Sequence, residues 1–262
     1  LYYRLNVFPI RTCNLSKRVD DIIPITVAII KIESRKSEVN GYVSNLFVNN
    51  IEVANNANLL IPETSSLTVI GNLTGNNNIV LESISNNYSS LIVNGVVTGD
   101  VKYKRHVNAF TGIGGNDLIS APVVGQTFGD FATANLNIFE NPSNTNEKLF
   151  GPFNKTTGSY QVYSSIDDST ITLDSGVGYR AARDASEDGD PAITTFTFTG
   201  SVNTGPIDID IQYQGAIYPE WNLIGNPYPS YIKLDDFFFL RKTSNESNGS
   251  HDSFCSRVHK AN

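Results

Sequence analysis

Four acids crowd one short stretch of the chain: Asp184, Glu187, Asp188 and Asp190, with Gly189 among them. Hard carboxylate oxygens at close spacing could hold Ca2+. An EF-hand loop wants acids or amides at alternate positions, and this stretch departs from that spacing, so a solvated acidic loop is the plainer reading. Asp208 and Asp210 alternate in a strand-like run and would stand about 7 Å apart on one face. That separation overlaps the carboxylate pairs of glycosidases, but outward acids on an exposed strand are far commoner. His106 follows Lys104 and Arg105, which raises anion binding or lyase chemistry. No Cys or second His stands near it in the sequence, and a solvated strand end explains it as well. Gly112-Ile113-Gly114-Gly115 lacks the third spaced glycine and the following helix of a phosphate cradle. No G-x-S-x-G elbow occurs. Cys13 and Cys255 lie near opposite ends without a CxxC neighbour, so they suggest neither a zinc site nor a disulfide framework. No catalytic or cofactor-binding residue is assigned on these grounds.

The elements that would position such residues follow from composition and pattern. The chain has 262 residues, 40% hydrophobic and 17% charged, enough apolar chain for a core and too little charge for a disordered polyelectrolyte. A net charge of −7 argues against a nucleic-acid partner held by a basic face. The longest apolar stretch, Ile22 to Ile30, contains Pro24 and is far too short to span a membrane. Charge is uneven: residues 1–40 carry +3, residues 41–240 carry −12 and residues 241–262 carry +2. The two ends therefore read as atypical flanks, poorly ordered and remote from the core. Beginning at Leu1 with no Met anywhere, the chain reads as an internal fragment of a longer protein.

An eleven-residue pattern recurs in the first half. Ser65-Ser66-Leu67-Thr68-Val69-Ile70-Gly71-Asn72-Leu73-Thr74-Gly75 returns 24 residues later as Ser89-Ser90-Leu91-Ile92-Val93-Asn94-Gly95-Val96-Val97-Thr98-Gly99, identical at seven positions. A weaker copy precedes both at Leu46-Phe47-Val48. Short β-forming runs between the copies are broken by Asn and Gly, which tolerate tight corners. A period near 24 suits three short strands and three corners, one coil of a β-solenoid. Leu67 and Val69 would then lie directly below Leu91 and Val93. Two successive hairpins with similar turns are the rival arrangement.

After about residue 108 the pattern changes. Thr195-Phe196-Thr197-Phe198-Thr199 and Ile207-Asp208-Ile209-Asp210-Ile211-Gln212-Tyr213 alternate strictly, as half-buried strands do. The turn-rich link Gly200–Pro206 predicts that they pair as a hairpin. Tyr160–Tyr163 and Thr170–Leu173 read as further short strands, and Phe128–Leu136 as a turn or two of helix. Many short strands with Gly, Pro and Asn turns indicate an antiparallel sandwich.

One segment stands out: Trp221-Asn222-Leu223-Ile224-Gly225-Asn226-Pro227-Tyr228-Pro229-Ser230. Its prolines remove two backbone donors and end the strand that Trp221 opens. The amides of Asn222 and Asn226 suit the backbone groups left over in the turn. Trp221, the single Trp, is expected to anchor the core. The aromatic run could alternatively stack on sugar rings.

This segment resembles the WNLIGNPYPS motif of large secreted proteins that Bacteroidota export by the type IX secretion system. Four further stretches resemble that family in the same order: Leu91–Val101 leading into the basic run Lys102-Tyr103-Lys104-Arg105, Asp117–Val123, Ser175–Tyr179, and Phe198–Gly205. Val177 departs from the family's usual Gly-Lys-Gly-Tyr. The likeness covers about 45–240 and carries no catalytic residues with it. It implies a secreted or cell-surface protein, extracellular or on the outer surface.

Together these readings predict an all-β chain. Residues 1–40 form a flank, 41–107 a short β-solenoid, 108–240 an antiparallel β-sandwich and 241–262 a second flank. The expected role is a non-catalytic structural, adhesive or binding module, meeting an extracellular glycan or protein but no nucleic acid. The alternative is a carbohydrate-active enzyme or glycan-binding module. Trp221, Asn222, Gly225, Asn226, Pro227, Tyr228 and Pro229 are its expected structural motif.

Overall fold

A computed structural model describes residues 46–112, 116–185 and 193–232, together with the backbone of strands at 29–32, 39–42, 237–242 and 253–258. The described chain is β throughout, apart from one short helix. Its first eleven strands are β1 (Ile29–Ile32), β2 (Val39–Tyr42), β3 (Leu46–Val48), β4 (Asn50–Val53), β5 (Ala57–Ile61), β6 (Ser66–Val69), β7 (Leu73–Thr74), β8 (Ile79–Leu81), β9 (Ser90–Val93), β10 (Val97–Thr98) and β11 (Val101–His106). Each of β1 to β8 pairs in parallel with the strand three places on. Three ladders result, β1-β4-β7-β10, β2-β5-β8-β11 and β3-β6-β9.

Leu67 pairs with Leu91 and Val69 with Val93, and all four side chains are fully buried. Leu46 and Val48 pair below them with Leu67 and Val69, so the weaker copy belongs to the same ladder. Hairpins would have given antiparallel pairs, yet these eleven strands pair with one another only in parallel, and the antiparallel bridge of Ser83 to Tyr88 lies outside them. The recurring glycines have a steric reason. A Cβ on Gly95 would lie 2.5 Å from the Gly71 carbonyl oxygen, and one on Gly99 would lie 1.8 Å from that of Gly75. The corners stack too closely for any side chain. Asn50 and Asn72 climb one corner as a small ladder, their Oδ1 atoms accepting from the N–H groups of Asn72 (2.7 Å) and Val96 (3.0 Å).

The remaining elements are β12 (Asp117–Ser120), β13 (Val123–Val124), α1 (Phe128–Ala134), β14 (Glu140–Asn141), β15 (Asn144–Lys148), β16 (Phe150–Asn154), β17 (Ser159–Tyr160), β18 (Tyr163–Ser164), β19 (Gly178–Ala181), β20 (Thr195–Val202), β21 (Ile207–Ile211), β22 (Phe237–Lys242) and β23 (Ser253–Val258). Their pairings are antiparallel, in sheets ordered β12-β19-β16-β17, β14-β15-β18 and β21-β23-β22. Thr127 caps α1 by accepting the Asp130 N–H. Residues 170–173 form no strand; Thr172 only bridges to Thr127.

β20 joins the two halves. It runs antiparallel to β11, with Tyr103 opposite Phe198. The buried core is accordingly continuous: Leu67, Leu91 and Tyr103 belong to the same cluster as Phe128, Phe131, Phe150, Phe196 and Phe198. The Phe131 and Phe198 rings stack at 4.7 Å, as do Phe150 and Tyr179 at 4.8 Å.

The expected β20–β21 hairpin does not form. β11 takes one edge of β20, and β13 takes the end of the other at Ser201 and Val202. The rest of that second edge is sealed by side-chain amides. Asn135 accepts the Thr197 N–H at 2.6 Å and donates to the Thr197 carbonyl at 3.0 Å. Gln126 accepts from Thr199, and Asn137 donates to the Thr195 carbonyl. With no edge open, β21 pairs instead with β23, which lies in the C-terminal flank.

Candidate functional site

The five motif stretches singled out by resemblance converge on one junction. Ile224 bridges to Val177, and the Gly225 N–H donates to the Gly176 carbonyl at 2.8 Å. Gly225 must be glycine, because a Cβ there would sit 2.4 Å from Ser120 Cβ and 2.5 Å from the Val177 oxygen. Ser120 Oγ donates to the Asn226 carbonyl at 2.9 Å. Asn203 Nδ2 donates to both Ser175 Oγ and the Pro227 carbonyl. The Pro229 carbonyl accepts from the Leu91 N–H. Stretches around residues 91, 120, 176, 203 and 227 are thus held by direct hydrogen bonds.

Within this junction the Asn amides serve the backbone. Asn226 Oδ1 accepts from the Tyr228 N–H at 2.9 Å, and its Nδ2 donates to the Ser230 carbonyl. Asn222 joins Gln212 at both its N–H and its carbonyl. Tyr228 is fully buried and donates from its hydroxyl to the Gly205 carbonyl at 2.7 Å. Burial raises its pKa above the ordinary phenol value.

Trp221 departs from expectation. Its side chain is 51% exposed, stacked on Tyr218 at 4.5 Å, with Phe153 beyond at 6.3 Å. It does not anchor the core; Tyr228 takes the buried aromatic position instead. The reason lies in the pairing of the motif. From Leu223 onward the segment is seated in the junction, through Gly178 and Val177, whereas Trp221 and Asn222 meet only peripheral partners, Tyr218, Phe153, Lys155 and Gln212.

A cavity of about 220 Å³ opens beside the junction, lined by Tyr88, Tyr103, Arg105, Ser120, Gly225 and Tyr228 among others. The Arg105 guanidinium carbon lies 4.1 Å over the Tyr88 ring, whose stacking partner is Tyr231 at 4.3 Å. A second, wider groove of about 530 Å³ crosses the outer face of the six-stranded sheet β13-β20-β11-β8-β5-β2. Pair register sets its floor: Leu60, Val80, Lys102 and Thr199 form one row across the strands. Lys104 beside them is paired with Glu82 at 2.8 Å.

The other candidate residues are scattered. Of the acidic stretch, Asp184 is described, its N–H donating to the Asn137 carbonyl; Glu187, Asp188 and Asp190 lie outside the described residues. Asp208 and Asp210 stand exposed on β21, with Tyr213 beyond them exposed rather than inward. His106 ends β11, and burial lowers its pKa, with the Asp117 carboxylate opposing that shift. Of the glycine run, Gly112 is described and residues 113–115 are not; Cys13 also lies outside the described residues. Arg105 stands out in the sequence only as a neighbour of His106 and as the end of the basic run Lys102-Tyr103-Lys104-Arg105. That run registers Arg105 opposite Phe196 at the end of the ladder, and only the tertiary structure sets it on the wall of the cavity.

Fold and junction define an all-β protein in which stacked parallel ladders are closed by an antiparallel half. The chain belongs to the family described as Domain of unknown function (DUF8693), whose model matches residues 20–254. No curated protein and no solved structure matches it. No helix among the described residues is long and apolar enough to cross a membrane.

Proposed function

We propose that this chain is a non-catalytic structural and binding module of a secreted or cell-surface bacterial protein. In this reading the three ladders are a short β-solenoid acting as a stiff spacer, and residues 108–240 are a sandwich-like half that locks its end. The observation that carries it is the junction, where the Trp motif is bonded to four distant stretches, one of them the last strand of a ladder. Sealed edges on β20 and a net charge of −7 suit a module that must stay soluble outside the cell. The resemblance to type IX secretion cargo supports the same placement.

The test is protease shaving of intact cells that express the full-length gene. Release of this region into the medium, with an internal control protein untouched, is the expected result. Its protection until the cells are lysed overturns the placement.

A second reading, glycan binding, is favoured by the exposed Trp221 stacked on Tyr218. On a glycan array, Trp221→Ala should then lose binding while melting at the wild-type temperature. An unchanged array profile removes that reading.

A further inference from the structure

We propose that the cavity beside the junction binds an organic carboxylate the size of one hexuronic acid, with Arg105 as the residue that grips the carboxylate. The inference deepens the binding-module reading and rests on it.

Arg105 is the one charged side chain among the residues lining the cavity. No carboxylate of the described residues forms an ion pair with it. Its guanidinium lies over Tyr88, which is itself held by Tyr231, both through their stacked rings and through the Tyr231 hydroxyl donating to the Tyr88 carbonyl at 3.1 Å. The contact with the Tyr88 ring and a side-chain hydrogen bond with Tyr103 hold the guanidinium in place, so its remaining N–H donors can form a fork with less entropy lost. A planar carboxylate is the partner such a fork matches best. Tyr103, buried beside Arg105, has its pKa pushed well up by desolvation and stays a protonated donor. The cavity is therefore rich in donors and cationic, inside a stretch of chain (residues 41–240) whose net charge is −12. A positive site in an acidic protein selects an anion.

Size and walls narrow the class. About 220 Å³ falls below the range of about 300–1,000 Å³ that holds drug-sized ligands, which points to a single ring. Ser120 Oγ and the Asn226 backbone, already joined to each other, offer hydrogen-bonding positions for ring hydroxyls. Leu223 and Ile224 give the ring an apolar wall.

The experiment is an NMR titration of the full chain with sodium glucuronate, glucose and inorganic phosphate in turn. Glucuronate should saturate, shifting the Arg105 Nε–H and the Tyr103 and Gly225 amides, while glucose leaves them in place. Arg105→Gln should weaken glucuronate at least tenfold, and Arg105→Lys, which keeps the charge without the fork, should fall between. Because Arg105 also packs on Tyr88, each variant is melted first, and the lysine variant serves if the glutamine variant unfolds. Unchanged glucuronate affinity in the variants, or glucose binding as well as glucuronate, overturns the proposal. So does phosphate binding as tightly, which makes the cavity a general oxyanion site, and so does the absence of saturable binding by any probe. None of these outcomes bears on protease release from intact cells, so the pocket and the module can fail separately.

Discussion

The Pro229 carbonyl accepts the Leu91 backbone N–H at 2.7 Å. Leu91 sits in β9, the last strand of the β3-β6-β9 ladder, so the next rung is a proline rather than a strand. Proline can accept but cannot donate, and the ladder stops there. An open parallel edge is a template for pairing with another chain, and the Trp motif removes it.

Leu91→Ala should destabilise the protein by about 2–5 kcal/mol, since Leu91 is wholly buried between its ladder neighbours. Phe47→Ala, on the exposed side of β3, should change stability by less than about 1 kcal/mol. Urea denaturation of the two variants compares them directly, and similar midpoints would contradict the inward stacking.

Trp221→Ala should alter stability by less than about 1 kcal/mol, because the indole stands half in solvent. Tyr228→Ala should cost about 3–5 kcal/mol, and Tyr228→Phe about 1 kcal/mol through its lost bond to the Gly205 carbonyl. Thermal melting ranks the three. A Trp221 variant that melts lowest would return the indole to the core.

Gly95→Ala should cost more than about 2 kcal/mol, since its Cβ would meet the Gly71 carbonyl at 2.5 Å. At Gly205 a Cβ meets nothing within 4 Å, so Gly205→Ala should be close to neutral. Equal losses at both positions, read by chemical denaturation, would show that the corner is not closely stacked.

Asn135→Ala should cost about 2–4 kcal/mol, because Thr197 then loses partners at both its N–H and its carbonyl. The variant should also self-associate through the bared edge of β20. Analytical ultracentrifugation checks this; a stable monomer would count against edge sealing.

His106 gives a pH dependence with a definite sign. Burial depresses its pKa in the folded chain, with Arg183 and Arg105 adding to the shift and Asp117 opposing it. The unfolded chain therefore binds the proton more readily. The stability that the neutral imidazole contributes is present above the ordinary value of about 6.5 and is lost as pH falls below it. Melting temperatures between pH 7.5 and 5 should fall for the wild type and fall less for His106→Gln. Parallel curves would assign the acid sensitivity elsewhere.

Much of the first half was legible in the residues alone. Leu67/Leu91, Val69/Val93 and the glycines recur because each must fill the same place in successive layers, and that constraint is local and periodic. The strand character of 195–199 and 207–211 was legible for the same reason, since alternation reflects one face buried at each step. Partner choice was not. Residues 195–202 and 207–211 look like a hairpin in sequence, yet β11 and the amides of Gln126, Asn135 and Asn137 occupy both edges of β20. Those amides come from around a helix 58 to 73 residues away, and nothing in the spacing of Asn and Gln says which backbone they will meet. The exposure of Trp221 has the same origin. Aromatic size favours burial on average, but the place where the Trp motif seats in the junction is set by Gly225 fitting against Ser120 and Val177, which leaves the indole at the periphery. The cavity beside Arg105 is likewise made by residues from five separate stretches, and it exists only once the junction has closed.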